Sequence, residues 1–270
     1  MANSVLIVGA APGLSAALAC LCTRNGMAVA LAAHNINNLE AIFAETDASQ
    51  HLCDASDADQ VASLFAELDN TIRTPDMVVY TPSARVPGPS QDLGPHSTKK
   101  ALNTTCYGAF LVTQQAAKRM RQQGDGSILF SGASAWVKGF ANSSVFAMGK
   151  FGLRGLAQAL ARELHPQNIY IWHFLINGGI RAEHRIERQD DGNDSRLDPD
   201  AIAECYLRFT AGTAVPEPER SSCVRGWSRS NTPINPTRLN RSRKAMGWGW
   251  LINSDGRHNL LAYGLILRLA

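Results

Sequence analysis

The chain has 270 residues, 45% of them hydrophobic and 22 of them glycine, with a formal net charge of +3. That is ample apolar material for one buried core, and a single α/β domain is the expectation at this length. The charge is uneven: residues 218–270 hold nine Lys/Arg against Glu219 and Asp255, which leaves the first 217 residues at −4 by difference. Six cysteines, at positions 20, 22, 53, 106, 205 and 223, form no CxxC pair and no zinc spacing. They point away from a disulfide framework or a structural metal and towards the reduced thiols of a cytoplasmic protein. The apolar opening MANSVLIVGAAPGLSAALACLC lacks the basic region of a signal peptide and is broken by a glycine turn. The closing LLAYGLILRLA is too short to span a bilayer, so no membrane partner is expected.

In chain order, short β-rich runs alternate with amphipathic stretches. SVLIVG precedes a helical pattern over 13–25, MAVALAA one over 36–45, ASQHL one over 56–69, and DMVVY one over 97–122. SILFSG then precedes a helix over 143–165, and NIYIWHFLI closes the series. Strands that are apolar on both faces, each followed by a helix, predict a Rossmann-like, doubly wound parallel sheet in three α/β/α layers. Its ligand crevice lies at the carboxyl ends of the strands. The polar stretch RAEHRIERQDDGNDSRLDPD (181–200) reads as an excursion over that crevice, a lid or a plain surface loop, and DPDAIAECYLRF reads as a helix. Residues 1–210 form the expected dinucleotide-binding domain. The basic tail 211–270 shows neither strand nor helix period, and its composition resembles translation of a shifted frame.

The chemistry-bearing positions fall at the strand ends. After the first strand, Gly9-Ala10-Ala11-Pro12-Gly13-Leu14-Ser15 leads into an apolar helix. Glycines here let the backbone approach a pyrophosphate that the helix N-terminus stabilises. The second strand ends Ala32-Ala33-His34-Asn35, without the acidic residue that binds a ribose 2′-hydroxyl and repels a 2′-phosphate. NADP is therefore the expected cofactor, with NAD still open, and His34 is either a phosphate contact or a solvated loop residue. Asp54 follows the third strand and by itself reads as a helix N-cap.

The turn GAAPGLS and the segment Phe146-Ala147-Met148-Gly149-Lys150-FGLRGLAQALAREL resemble the short-chain dehydrogenase/reductase family. The resemblance spans roughly residues 3–210 and implies hydride transfer between NAD(P) and a small carbonyl or hydroxyl substrate, or a non-catalytic relative that kept the nucleotide site. By that resemblance Gly9, Pro12, Gly13, Leu14, His34, Asp54, Thr81, Pro82, Lys150, Gly179 and Ile180 contact the cofactor. Lys150 also orients the nicotinamide ribose and lowers the pKa of a tyrosine one helical turn earlier. Here that position is Phe146.

Other family positions differ as well. The serine thirteen residues before Phe146 is Ala133, with Ser131 and Ser134 flanking it, and Ser134 is the expected stand-in. Thr105 stands for an asparagine, Thr81-Pro82-Ser83 for Asn-Ala-Gly, and Asn177-Gly178-Gly179-Ile180 for a Pro-Gly turn. Tyr80 is the tyrosine nearest the crevice, as a substitute phenol or as a core aromatic. The small-residue helix faces of the resembling segments imply a homodimer or homotetramer. No GxSxG, HExxH or GxxxxGK[ST] occurs, and the tail's Arg and Trp residues lack a nucleic-acid module around them.

Overall fold

The computed structural model describes residues 2–37, 39–182 and 196–210, together with the backbone of 251–253. The excursion over 183–195 and most of the basic tail lie outside these residues.

Among the described residues, seven strands form one parallel sheet: β1 (Ser4–Val8), β2 (Ala28–Ala33), β3 (Ser49–Leu52), β4 (Met77–Tyr80), β5 (Gly126–Ala133), β6 (Ile169–Asn177) and β7 (Leu251–Asn253). Their order is β3-β2-β1-β4-β5-β6-β7. The chain leaves β1 in one direction towards β2 and returns to its other side with β4. The topological switch point therefore lies between β1 and β4, and Val8 is level with both Ala32 and Tyr80.

The two-residue period of β1 builds two cores from one strand. Val5 and Ile7 face α1 (Leu14–Arg24), α2 (Glu40–Thr46) and α7 (Pro199–Thr210), meeting Leu18, Ile42, Ile202 and Tyr206. Leu6 and Val8 face α3 (Ala58–Asp69), α5 (Gly108–Gln123) and α6 (Ser144–Leu164), meeting Leu64, Phe65, Val112 and Leu153. Each such fully buried side chain contributes about 1.5–3 kcal/mol of transfer free energy. Tyr206 ties α7 to the sheet by stacking on Phe174, with centroids 3.8 Å apart, and by a 2.9 Å hydrogen bond to the Ser131 hydroxyl.

The expected α/β/α layering is present, with two differences. The helical pattern over 97–122 is three pieces: α4 (Pro95–Leu102), a π-helical turn at Asn103–Tyr107, and α5. The Tyr80 hydroxyl donates to the Thr104 carbonyl within that turn. A Cβ on Gly108 would lie 2.6 Å from both the Ala55 carbonyl oxygen and the Tyr80 hydroxyl. A π turn is a single-turn insertion within a helix, too local for the broad helical pattern over 97–122 to resolve. The second difference is β7, in a region without a legible period, which pairs Leu251–Asn253 with Leu175–Asn177 of β6.

Among the described residues, no helix is long and apolar enough to cross a membrane. Cys20, Cys22, Cys53, Cys106 and Cys205 are free thiols.

Candidate functional site

The crevice begins at the turn between β1 and α1. Gly9 (φ +81°) and Gly13 (φ +105°) have backbones that L side chains rarely adopt. A Cβ on Gly9 would lie 2.7 Å from Pro82 Cγ and 2.8 Å from Thr81 Oγ1, so glycine is also required by the close approach of the chain leaving β4. The Thr81 hydroxyl fastens that approach, 2.9 Å from the carbonyl oxygens of both Val8 and Gly9. Ser15, in place of a third glycine, is buried and only weakly bonded, its hydroxyl 3.5 Å from the Gly9 carbonyl and from Thr81 Oγ1.

Gly13 is the N-cap of α1, with no capping side chain and no acidic residue in the first turn. The amides there are oriented for an anion, with the positive end of the helix dipole behind them. Pro12 is half-buried beside the turn, while the Leu14 side chain belongs to the core, which leaves only its amide for a ligand.

At the far end of the crevice, His34 and Asn35 follow β2 as exposed residues, with no carboxylate at the strand end. Asp54 follows β3 and is also exposed. Its Oδ1 accepts from the Ser56 amide and hydroxyl at 2.9 and 2.7 Å. The N-cap of α3 is Asp57, which accepts from the amides of Asp59 and Gln60. Asp54 is therefore not the helix cap, and its Oδ2 forms no hydrogen bond to a described residue.

The catalytic end is assembled from β5, α6 and the chain after β4. Lys150 lies in α6, 3% exposed, and its ammonium donates to the Ser131 carbonyl at 2.8 Å. Burial, with a smaller contribution from the Arg85 charge, brings its pKa down to about 7. Phe146, one turn earlier, is buried, and Lys150 Nζ lies 5.9 Å from its ring centroid. Arg85 Cζ lies 4.0 Å from the same centroid.

Thr105 sits in the π turn, almost fully buried, where its hydroxyl accepts from the Ala84 amide at 3.0 Å. A Cβ on Gly149 would touch the Thr105 side chain at 3.0 Å, so this glycine admits α6 to close contact with the π turn. Ala133 caps a short 3₁₀ turn (Ser134–Trp136) at the end of β5, and Ser134 is half-buried there. The Ser134 hydroxyl makes no hydrogen bond to a described residue. It is at the crevice level of β5 but is not bonded to Lys150.

After β6, Gly179 and Ile180 pair with a returning segment. The Leu197 amide donates to the Gly179 carbonyl and the Arg181 amide donates to the Leu197 carbonyl, both at 2.8 Å, and Arg181 forms a 3.0 Å ion pair with Asp198. The Arg181 carbonyl oxygen would stand 3.6 Å from a Cβ on Gly13, so this strap closes over the glycine turn. It also fixes the base of the excursion whose interior lies outside the described residues.

The tyrosines separate clearly. Tyr80 is enclosed, its hydroxyl spent on the Thr104 carbonyl and its pKa driven far upward by burial, which makes it a core aromatic. Tyr206 is fully buried and bonded to Ser131, whereas Tyr107 and Tyr170 are exposed. Sequence reasoning missed Arg85: a single charge in an irregular loop carries no periodic or motif signal, and only the folded loop shows what it covers.

Comparison with known proteins agrees with this geometry. The short chain dehydrogenase family model matches residues 3–192. Among curated relatives, 3-dehydrosphinganine reductase of Danio rerio is 27% identical over 177 residues, covering 62% of this chain and 53% of that protein. The human 3-oxoacyl-[acyl-carrier-protein] reductase is 27% identical over 168 residues, covering 61% of this chain and 70% of that protein. The chain thus spans about half the length of the sphinganine reductase it matches. A short-chain dehydrogenase from Rhodopseudomonas palustris superposes with a TM-score of 0.65 at 26% identity, over 76% of this chain and 91% of that one. A metagenomic short-chain oxidoreductase in complex with NADP does so with a TM-score of 0.66 at 22% identity, over 78% and 91%. With a family model covering most of its length and a parallel sheet that carries the glycine turn at the switch point, the chain belongs to the short chain dehydrogenase family.

Proposed function

We propose that the protein is an NADP-dependent oxidoreductase acting on a small carbonyl or hydroxyl compound through an altered catalytic centre. The observation that carries this reading is the uncapped N-terminus of α1 at the switch point, where Gly9 and Gly13 stand without Cβ atoms, together with a buried Lys150 on α6. A dinucleotide fits these residues. Its pyrophosphate would lie on the first-turn amides of α1 beside Pro12 and the Leu14 amide, its adenine near Asp54, and a 2′-phosphate near His34, where no carboxylate opposes it. Thr81, Pro82, Gly179 and Ile180 would wall the nicotinamide half.

The cofactor, when bound, donates or accepts the hydride. The protein's own task is to hold the ribose, exclude water and provide a proton. Lys150 is placed for the first of these: exchanging the Ser131 carbonyl for ribose hydroxyls costs its ammonium little, since it is already desolvated. Phe146 supplies no proton. The Ser134 hydroxyl or a water held by Lys150 is the remaining source, and either is weaker than a positioned phenol.

A second reading, a dinucleotide-binding protein without turnover, is favoured by Thr105, Ala133 and Phe146 standing together at three positions where the family does its chemistry. NADPH oxidation against a panel of aldehydes and ketones separates the two. Turnover by the natural sequence, rising in Phe146→Tyr, supports the enzyme. Tight NADPH binding with no turnover in either protein supports the second reading.

A homodimer or homotetramer is the proposed assembly. Tyr107 and Phe110 on one helix, and Met148 and Phe151 on the next, are exposed apolar side chains at helical spacing. They flank the place where Cys106 packs against Gly152, the thiol sulfur 2.9 Å from where a Cβ would stand.

A further inference from the structure

Away from the dinucleotide crevice, a serine, a histidine and a glutamate meet at the outer strand of the sheet. Among the described residues β3 is an edge strand, paired with β2 on one side. Ser49 and His51, two residues apart, place their side chains on the same face of it, towards α3. The His51 ring is buried and both of its nitrogens are engaged: Nδ1 lies 2.9 Å from Glu67 Oε2 on α3, and Nε2 lies 3.0 Å from Ser49 Oγ. A carboxylate accepts and does not donate, so Glu67 takes the Nδ1 proton of the neutral ring. That leaves Nε2 as the acceptor for the Ser49 hydroxyl.

This is the order of a nucleophile, a general base and a carboxylate that orients the base, with each pair within hydrogen-bond reach. Ser49 is half-buried and is followed by the exposed Gln50, so the nucleophile stands beside solvent while its base is enclosed. The Cys53 amide donates to the Ala33 carbonyl at 2.9 Å. In a parallel ladder, successive residues bond to opposite sides, so the amides of Ser49 and His51 also turn towards β2 and that of Gln50 turns to the outer edge. Gln50, next in the chain after Ser49, thus offers a backbone donor outside the ladder, of the kind that steadies an oxygen gaining negative charge. Ser49 is level with Ala30 of β2, and Ala30 is next to Leu6 of β1, two strands across the sheet and three residues before Gly9. The trio is therefore separate from the glycine turn.

We propose that Ser49, His51 and Glu67 form a second site, distinct from the dinucleotide crevice, that hydrolyses small acyl esters or thioesters. Ser49 Oγ bonds to the acyl carbon as its proton passes to His51 Nε2, and the adduct's negative oxygen lies by the Gln50 amide. The bond to the alcohol or thiol then breaks, the leaving group takes the proton back from His51, and the acyl group remains on Ser49. Water repeats these steps on the acyl-serine, which releases the carboxylic acid and restores the hydroxyl. The sum is ester and water giving acid and alcohol, without a cofactor or a change of oxidation state. The half-buried position of Ser49 against α3 limits the acyl group to a small one.

The test treats the full chain with a fluorophosphonate probe, which reacts with serines activated by a base, and with p-nitrophenyl acetate. Peptide mass spectrometry locates the adduct, and absorbance follows the release of p-nitrophenolate. A fluorophosphonate adduct on Ser49 and a stoichiometric burst of p-nitrophenolate are expected. Ser49→Ala should abolish both, and His51→Gln should slow both by about 10²–10⁴, the worth of a positioned general base. Glu67→Gln should slow them less, since the amide oxygen still accepts from Nδ1. Circular dichroism checks that each variant is folded, and Glu67→Gln, on a side chain 62% exposed, tests the trio even where His51→Gln does not fold. A folded chain with no adduct on Ser49 overturns the proposal, as does ester turnover undiminished in Ser49→Ala, or a Ser49 adduct that forms as fast in Glu67→Gln as in the natural sequence. In each of those cases the trio serves to pin β3 to α3 and nothing more.

Discussion

Replacing Gly9 by alanine probes the glycine turn directly, because the structure separates two penalties there. The first is conformational: at φ +81° an L side chain costs roughly 1–2 kcal/mol. The second is steric: the new methyl would stand 2.7 Å from Pro82 Cγ and 2.8 Å from Thr81 Oγ1. Relieving such overpacking typically costs about 1–3 kcal/mol. Gly26 supplies the control, since it has φ +75° and nothing within 4 Å of the added carbon. Gly9→Ala should therefore lose about 2–5 kcal/mol and Gly26→Ala only about 1–2 kcal/mol. At roughly 2–4 °C per kcal/mol for a domain of this size, thermal unfolding followed by circular dichroism separates them by about 2–12 °C. Equal shifts in the two variants would refute the claim that the chain leaving β4 presses on the turn.

Three further outcomes follow from the site. Phe146→Tyr restores a phenol beside Lys150 and should raise NADPH-dependent carbonyl reduction by about 10²–10⁴, the usual worth of a positioned acid. No change in any substrate's rate would show that the missing phenol is not what limits turnover. Lys150, with its pKa lowered from 10.5 to about 7, is neutral in the folded chain but charged in the unfolded chain between those values. The unfolded state then binds the extra proton, so this residue makes stability rise with pH across that window, by at most about 1.4 kcal/mol per pH unit. Denaturant titrations at pH 7 and pH 9 should show the rise in the natural sequence and its loss in Lys150→Met, and an unchanged slope in the variant would place the burial cost elsewhere. Light scattering should find a dimer or tetramer that Phe110→Glu weakens, whereas a monomeric natural chain would remove the proposed interface.

The fold was legible because its strands carry their own signal: Val5 to Val8 and Met77 to Tyr80 are apolar on both faces, as only a doubly covered parallel strand requires. The glycine turn was legible for the same local reason. The sequence pattern did not disclose the π turn at Asn103–Tyr107, because one of its partners, Tyr80, lies on β4 and is brought to the Thr104 carbonyl only by the fold. Asp54 was ambiguous because two aspartates, Asp54 and Asp57, precede α3, and only the hydrogen bonds show that Asp57 caps it. Arg85 was invisible because its position depends on anchors from Thr105, Asn142 and Ser144, which are brought together only by the fold. The strand Leu251–Asn253 was hidden in a tail without pattern, where pairing to β6 supplies the order that the residues themselves do not.

The most direct test of the central claim is a titration of the full chain with NADPH and then NADH, following tryptophan quenching and the nucleotide's own emission. The account predicts saturable binding in the micromolar range with NADPH preferred, since no carboxylate follows β2 at His34 and the first-turn amides of α1 have no capping side chain. Failure of both nucleotides to bind to a chain with native circular dichroism would contradict it.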